Sequence, residues 1–195
     1  MRKLKKLTFL SGNEKKVEEV KKILGHVYEG VLEYKSLDLD EIQGSQSEIV
    51  TRKITDATKH VDGPCFVEDV SLCLHALNDL PGPYIKHFNK ALGSHNLINL
   101  VKGFPDSAEK FGVTAVCTVG FIDPESGEGV KLFVGKVKGK IVESNGTQGF
   151  GFDPVFLPEG SDQTYAEMTP EKKNSISHRY LAMQAMKQYL DENYE

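Results

Sequence analysis

Five short stretches hold residue types that could do chemistry. SGNEKK (11–16) follows the apolar run LTFL (Leu7–Leu10) and places two lysines behind a Ser-Gly-Asn turn. A helix starting there would aim unpaired N–H groups and a positive dipole end at an anion. Gly12 permits a close backbone approach, Ser11 and Asn13 offer side-chain hydrogen bonds, and Lys15 or Lys16 supplies charge. The Gly-Lys-Ser/Thr signature of the mononucleotide loop does not occur, and the same six residues also make an ordinary helix cap with solvated lysines. DEIQG (40–44) contributes Glu41, and VED (67–69) contributes Asp69. Acids beyond the carboxyl ends of strands in an open α/β sheet can share one ligand site. Two carboxylates there suit a hard cation such as Mg²⁺, although a loop acid such as Glu41 is as a rule simply solvated. GFGFDP (149–154) sets two phenylalanines among glycines ahead of an acid, either a stacking wall for a flat base or a plain loop. EKKNSISHRY (171–180) gathers Lys173, His178 and Arg179 around a helix start, either as surface cations or as readers of a base edge.

The elements that must position these residues follow from periodicity. LTFL is expected as a strand. NEKKVEEVKKIL is expected as a helix, with Val17, Val20 and Leu24 at helical spacing and Gly25 placed to stop it. VLEYKSLDL (31–39) alternates like a strand. Ser45 and Glu48 have capping-box spacing and open a helix running to about His60. CFVED (65–69) reads as a short buried strand, and LPGPYIKHF (80–88) as a proline turn leading into a helix that reaches Val101. Between Phe111 and Val142 two long strands joined by PESGEG (124–129) predict a hairpin. A glycine-rich loop at 145–154 precedes a last helix over about 177–192, with Tyr180, Met183 and Leu190 on one side. Strand–helix alternation followed by a hairpin predicts an α/β fold with a mixed, twisted sheet and flanking helices, in a single domain over 1–195.

Composition narrows the partners. The chain has 195 residues, 39% hydrophobic and 27% charged, ordinary values for a soluble globular domain with a real core. A net charge of −4 argues against a large nucleic-acid face. The start MRKLKK is basic, but the apolar run behind it ends after LTFL, short of the ~7–15 residues of an export signal. No stretch approaches the ~20 apolar residues of a membrane span, so neither a nucleic-acid nor a membrane partner is expected. Cys65, Cys73 and Cys117, odd in number and widely spaced, read as reduced thiols rather than bridges or zinc ligands.

The order of the stretches is more specific than any one of them. SGNEKK, EIQG, VEDVSLCLHAL, LPGPYIKHF, GFGFDPVF and QTYAEMTPEKKNSISHR follow one another over almost the whole chain. In this the sequence resembles the inosine triphosphate pyrophosphatase family, whose members hydrolyse deaminated purine nucleoside triphosphates. The resemblance implies an elongated fold with two lobes around a central nucleotide cleft, a cytosolic homodimer, and cleavage of ITP, dITP or XTP to monophosphate and pyrophosphate. Mg²⁺ is the implied ion, with Mn²⁺ as its substitute. Ser11, Gly12, Asn13, Glu14, Lys15 and Lys16 are implied to form a phosphate loop. Glu41 and Asp69 are implied as metal-associated acids, and Asp69, Glu41 and Lys15 as the catalytic group, with Asp69 orienting or deprotonating water. Lys53 and Lys86 are implied to contact the triphosphate or shape its pocket, and Phe150, Gly151, Phe152 and Asp153 to line the nucleoside. Lys173, His178 and Arg179 are implied at the base end, with the donors of Arg179 facing a 6-oxo group that ATP lacks.

Three positions depart from the family pattern. Ser11 stands where threonine is usual, and Phe152 where tryptophan is common. Val70, a substrate-binding position, stands where a hydroxyl residue is commoner, with Ser71 one place later. Two other functions stay compatible with the sequence: a pyrophosphatase of the same fold acting on other modified nucleotides, and a nucleotide sensor without turnover.

Overall fold

The computed structural model describes residues 2–107 and 109–195. Its strands are β1 (Leu7–Leu10), β2 (Leu32–Lys35), β3 (Cys65–Leu74), β4 (Pro81–Gly82), β5 (Gly112–Ile122), β6 (Lys131–Ile141) and β7 (Phe156–Pro158). Its helices are α1 (Glu14–Leu24), α2 (Gln46–Ala57), α3 (Ile85–Leu92), α4 (Asn99–Lys102), α5 (Pro170–Ile176) and α6 (His178–Asn193). The strands form one open sheet in the order β2-β1-β3-β5-β6-β7, with β4 beside β3. β1 runs parallel to β2 and β3, whereas β4 and β7 run antiparallel to β3 and β6, so the sheet is mixed as expected.

The chain clusters into two compact units. Unit 1 comprises Met1–Asp69, Cys117–Gly135 and Arg179–Glu195; unit 2 comprises Val70–Val116 and Lys136–His178. In unit 1, Val50, Ile54 and Ala57 of α2 pack with Leu10, Cys65 and Val67 of the strands. Gly120 of β5 is required for this contact, because a Cβ there would lie 2.6 Å from a methyl of Val50. In unit 2 the core is built from Leu72, Leu97, Val101, Val113, Phe156 and Tyr165 among others.

Most elements lie where periodicity put them, and the differences have local causes. Asn13 caps α1, its side chain accepting from the amides of Lys15 and Lys16. Ser45 and Glu48 close a full capping box on α2. β2 stops at Lys35 instead of continuing to residue 39, because its partner β1 offers only four residues, paired from Leu7↔Leu32 to Leu10↔Lys35. β3 runs five residues past Asp69, where β4 supplies partners at Leu72 and Cys73. The helix expected to reach Val101 breaks at Gly93, whose φ of 75° ends α3. α5 is an element that periodicity did not single out. Thr169 caps it and Pro170 opens it, a start signal present in the sequence TPEKK. The three cysteines are free thiols. Among the described residues, no helix is long and apolar enough to cross a membrane.

Candidate active site

Unit 1 draws its charged groups to the middle of β3 by helical and strand periodicity. On α1, Val20, Ile23 and Leu24 are buried. Lys16, one turn before Val20, shares their face, and its side chain is 18% exposed. Lys15 falls with Glu18 and Lys22 on the exposed face. The structure therefore turns Lys16 inward, not the Lys15 expected in the catalytic group. Ahead of the helix, Ser11 Oγ accepts from the Asn13 amide at 3.2 Å, and Asn13 Oδ1 accepts from Lys15 N at 3.0 Å and Lys16 N at 3.3 Å. Gly12 is hemmed in by Asp38, whose Cβ lies 3.2 Å from where a Gly12 Cβ would sit. Glu14 is exposed in the first turn.

α2 supplies Lys53 from its core-facing side, in register with Ile49, Val50, Ile54 and Ala57. Its ammonium donates to Glu41 Oε1 at 2.9 Å, stands 3.7 Å from Asp69 Oδ1, and reaches the Glu68 carbonyl at 3.3 Å. A cation thus already sits between the two acids that the sequence offered for Mg²⁺. Asp69 is 5% exposed, and its Oδ2 has no hydrogen-bond partner among the described residues. Burial is the main cause that pushes its carboxyl up to about 6; Lys53 and Lys16 pull the other way, and Glu41 and Glu68 add to the rise.

One residue earlier on β3, Glu68 is equally buried but fully engaged. Its Oε1 accepts from Lys16 Nζ at 2.8 Å and Arg179 Nη2 at 3.2 Å, and its Oε2 from Arg179 Nε at 2.9 Å and Cys117 Sγ at 3.1 Å. Burial opposes its charge, yet Arg179 and Lys16 overcome that and hold the carboxyl well below its ordinary value. Burial likewise opposes the charges of Lys16 and Arg179, and Glu68 lifts both above their ordinary values. The buried Cys117 thiol is held well above its ordinary value by burial and then by Glu68, so it remains a donor. Arg179 also donates through Nη1 to Glu19. Its guanidinium, 2% exposed, therefore meets carboxylates through Nε, Nη1 and Nη2. These contacts give no support to the expected place of Arg179 at a base edge.

Unit 2 holds the aromatic residues. His178 packs between Tyr165, stacked at 5.9 Å and 20°, and Phe152, at 5.7 Å and 32°. Asp153 Oδ2 accepts from the Phe150 amide at 2.8 Å and from Lys173 Nζ at 2.6 Å, and both side chains of that ion pair are 5% exposed. Lys173 Nζ also lies 5.0 Å from the Phe150 ring centroid. Gly149, at φ 73°, leaves room for Asp153, whose Oδ2 would be 2.1 Å from a Cβ there. Phe152, expected to stack on a base, is 6% exposed and packs against His178 and Phe156. Phe150 is the half-buried ring of the loop, beside the exposed Gly151. Lys86 is exposed on α3, and Val70 packs against the unit 2 core. The displaced hydroxyl, Ser71 Oγ, is buried with no hydrogen-bond partner among the described residues.

Sequence reasoning missed Glu68, Glu19, Cys117 and Tyr165. Glu68 carried a signal: an acid inside the apolar run CFVED needs a cation partner. Glu19 stands one helical step from Lys16 on α1, but its partner Arg179 lies 160 residues away, which no local pattern shows.

As to a metal, no group of three or more His, Cys, Asp or Glu side chains among the described residues is arranged to hold one. The donors that fit are Glu41 and Asp69, one of them with an unused buried oxygen and both already bridged by an ammonium. Two carboxylates completed by water and substrate oxygens make the usual setting for Mg²⁺.

A mixed open sheet with flanking helices, with Glu68 and Asp69 within one strand and Lys53 of a capped helix beside them, defines an α/β protein. The chain belongs to the Ham1 family, whose model matches residues 7–189. It is similar to the Ham1 protein of Staphylococcus aureus at 24% identity and a TM-score of 0.75, covering 95% of this chain and 98% of that one. A HAM1 protein from Coxiella burnetii matches at 25% identity and a TM-score of 0.83, covering 96% and 99%. A nucleoside-triphosphatase / dITP/XTP pyrophosphatase from Mycobacterium abscessus matches at 29% identity and a TM-score of 0.68, covering 93% and 97%.

Proposed function

We propose that this protein hydrolyses nucleoside triphosphates to monophosphate and pyrophosphate, with the deaminated purine nucleotides ITP, dITP and XTP as substrates. Family membership and the likeness to a dITP/XTP pyrophosphatase support this reading. The observation that carries it is the pair Glu41 and Asp69 with the Lys53 ammonium between them. Glu41 and Asp69 would hold Mg²⁺, which supplies charge neutralisation along the polyphosphate and a more acidic attacking water. Asp69 orients that water and accepts its proton. Lys16 and Lys53 stabilise charge developing on the leaving pyrophosphate. Phe150 would stack on the base, and Lys173 and His178 hold its surroundings in place. The enzyme works on the cytosolic nucleotide pool as a homodimer, an assembly that sedimentation at micromolar concentration checks.

The deciding experiment incubates the protein with Mg²⁺ and ITP, dITP, XTP, GTP or ATP and assays pyrophosphate and phosphate separately. Equal yields of monophosphate and pyrophosphate from the deaminated nucleotides are expected. Release of phosphate with a diphosphate product would move the cut to the terminal phosphate and overturn the proposal.

A further inference from the structure

Glu68 has no assigned task in this chemistry, yet both of its carboxylate oxygens are engaged. An ionised carboxylate offers about four acceptor positions, and Glu68 fills them with Lys16 Nζ, two nitrogens of Arg179 and the Cys117 thiol. Lys16 has three N–H donors, so pairing with Glu68 still leaves donors for a second anion. The two cations that Glu68 joins come from opposite ends of the chain, one from the first turns of α1 and one from the start of α6. Without a carboxylate between them they would repel, and the Lys16 side chain, already 18% exposed, would turn to water. We propose that Glu68 is a positioning residue: its carboxylate, anchored by Arg179 and Cys117, fixes the Lys16 ammonium so that a polyphosphate meets a lysine already in place. The proposal rests on the pyrophosphatase reading of the same residues and adds to it a part that Glu68 plays without touching substrate.

A double-mutant cycle tests it. Glu68→Gln keeps the shape but turns one acceptor into an N–H donor facing the donors of Lys16 and Arg179. In the parent background kcat/KM for ITP should fall by about 10²-fold, the scale of a small misplacement of a charged group. In a Lys16→Met background the same change should cost no more than about 3-fold, because the group it positions is gone. Affinity for inorganic tripolyphosphate, measured by calorimetry, should show the same coupling. Equal losses in both backgrounds would overturn the proposal, since a merely structural Glu68 does not depend on Lys16. Should Glu68→Gln fail to fold, Glu68→Asp keeps the charge but draws the carboxylate back from Lys16 by one methylene. Its tripolyphosphate affinity should drop to that of Lys16→Met, and parent-like affinity would overturn the proposal. A parent that turns over no nucleotide would sink the hydrolysis reading alone, since the coupling in tripolyphosphate binding still decides the role of Glu68. A parent that binds no tripolyphosphate overturns the proposal itself.

Discussion

On β3, Glu68 and Asp69 leave the backbone on opposite faces of the strand, and they meet different surroundings although both are almost wholly buried. Glu68 faces α1 and α6 and collects Lys16, Arg179 and Cys117. Asp69 faces α2, has one ammonium at 3.7 Å and keeps an oxygen without a hydrogen bond among the described residues. The first carboxyl is held well below its ordinary value by its cations, against burial, and the second is pushed up by burial to about 6. Equal burial thus gives opposite results, and the number of partners decides which. A saturated carboxylate anchors other groups; an under-partnered one keeps capacity for a cation or a proton. Unit 2 repeats the first solution on a smaller scale, with Asp153 Oδ2 accepting from Lys173 and the Phe150 amide.

The comparison breaks first at Asp69. If its capacity for a proton is used in the reaction, Asp69→Asn should lower kcat for ITP by about 10²–10⁴-fold with little change in KM. Comparable turnover in the variant and the parent at saturating Mg²⁺ would make Asp69 no more than a buried acid. Glu68 should respond in stability. Glu68→Ala removes the carboxylate that buried Arg179 and partly buried Lys16 share and should cost about 3–5 kcal/mol in urea unfolding, whereas Asp69→Asn in metal-free protein should not destabilise at neutral pH. A small loss for Glu68→Ala would show that Arg179 is held by Glu19 alone.

Smaller effects sharpen the contrast between buried and half-buried groups in unit 2. Phe150→Ala should weaken ITP binding by about 1–3 kcal/mol, the range for base stacking on one ring, and leave folding nearly intact. Phe152→Ala should instead destabilise the fold by roughly 3–5 kcal/mol, as a buried aromatic does. The reverse pattern would return the stacking role to Phe152. The smallest effect is expected at Lys15. Being exposed, Lys15→Ala should shift kcat/KM by under about 3-fold, in keeping with the small worth of surface charges. A large loss there would restore Lys15 over Lys16.

Much of this was legible in the sequence. Helix starts with explicit caps, at Asn13 and Ser45, were readable because cap chemistry is local. The extents of β2 and β3 were not, because a strand ends where its partner does, and the partner lies elsewhere in the chain. Glu41 was readable as a loop acid and Asp69 as a strand acid, Lys53 came from the family resemblance, and the structure brings all three together. The choice between Lys15 and Lys16 was already contained in the spacing of the buried Val20, Ile23 and Leu24, because Lys16 stands one turn before Val20. Arg179 could not be placed from its neighbours in sequence, because its partners Glu68 and Glu19 lie 111 and 160 residues away. Only the tertiary fold makes it an anchor.

The central claim is that Asp69 stands ready for a cation, and its titration tests that most directly. A native value of about 6 against an ordinary 3.8 means that the folded, metal-free protein binds the extra proton between those values. The stability Asp69 contributes is therefore full below about pH 4 and is lost as pH rises through about 6, a change on the order of 3 kcal/mol. A cation at Asp69 favours the ionised form, so binding should release that proton and remove the penalty. The measurement follows the Asp69 carboxyl carbon by NMR across this pH range, in metal-free protein and again with Mg²⁺. A midpoint near 6 is expected without metal, moved by Mg²⁺ down towards the ordinary carboxylate range. A midpoint near 3.8 in metal-free protein, indifferent to Mg²⁺, would contradict it.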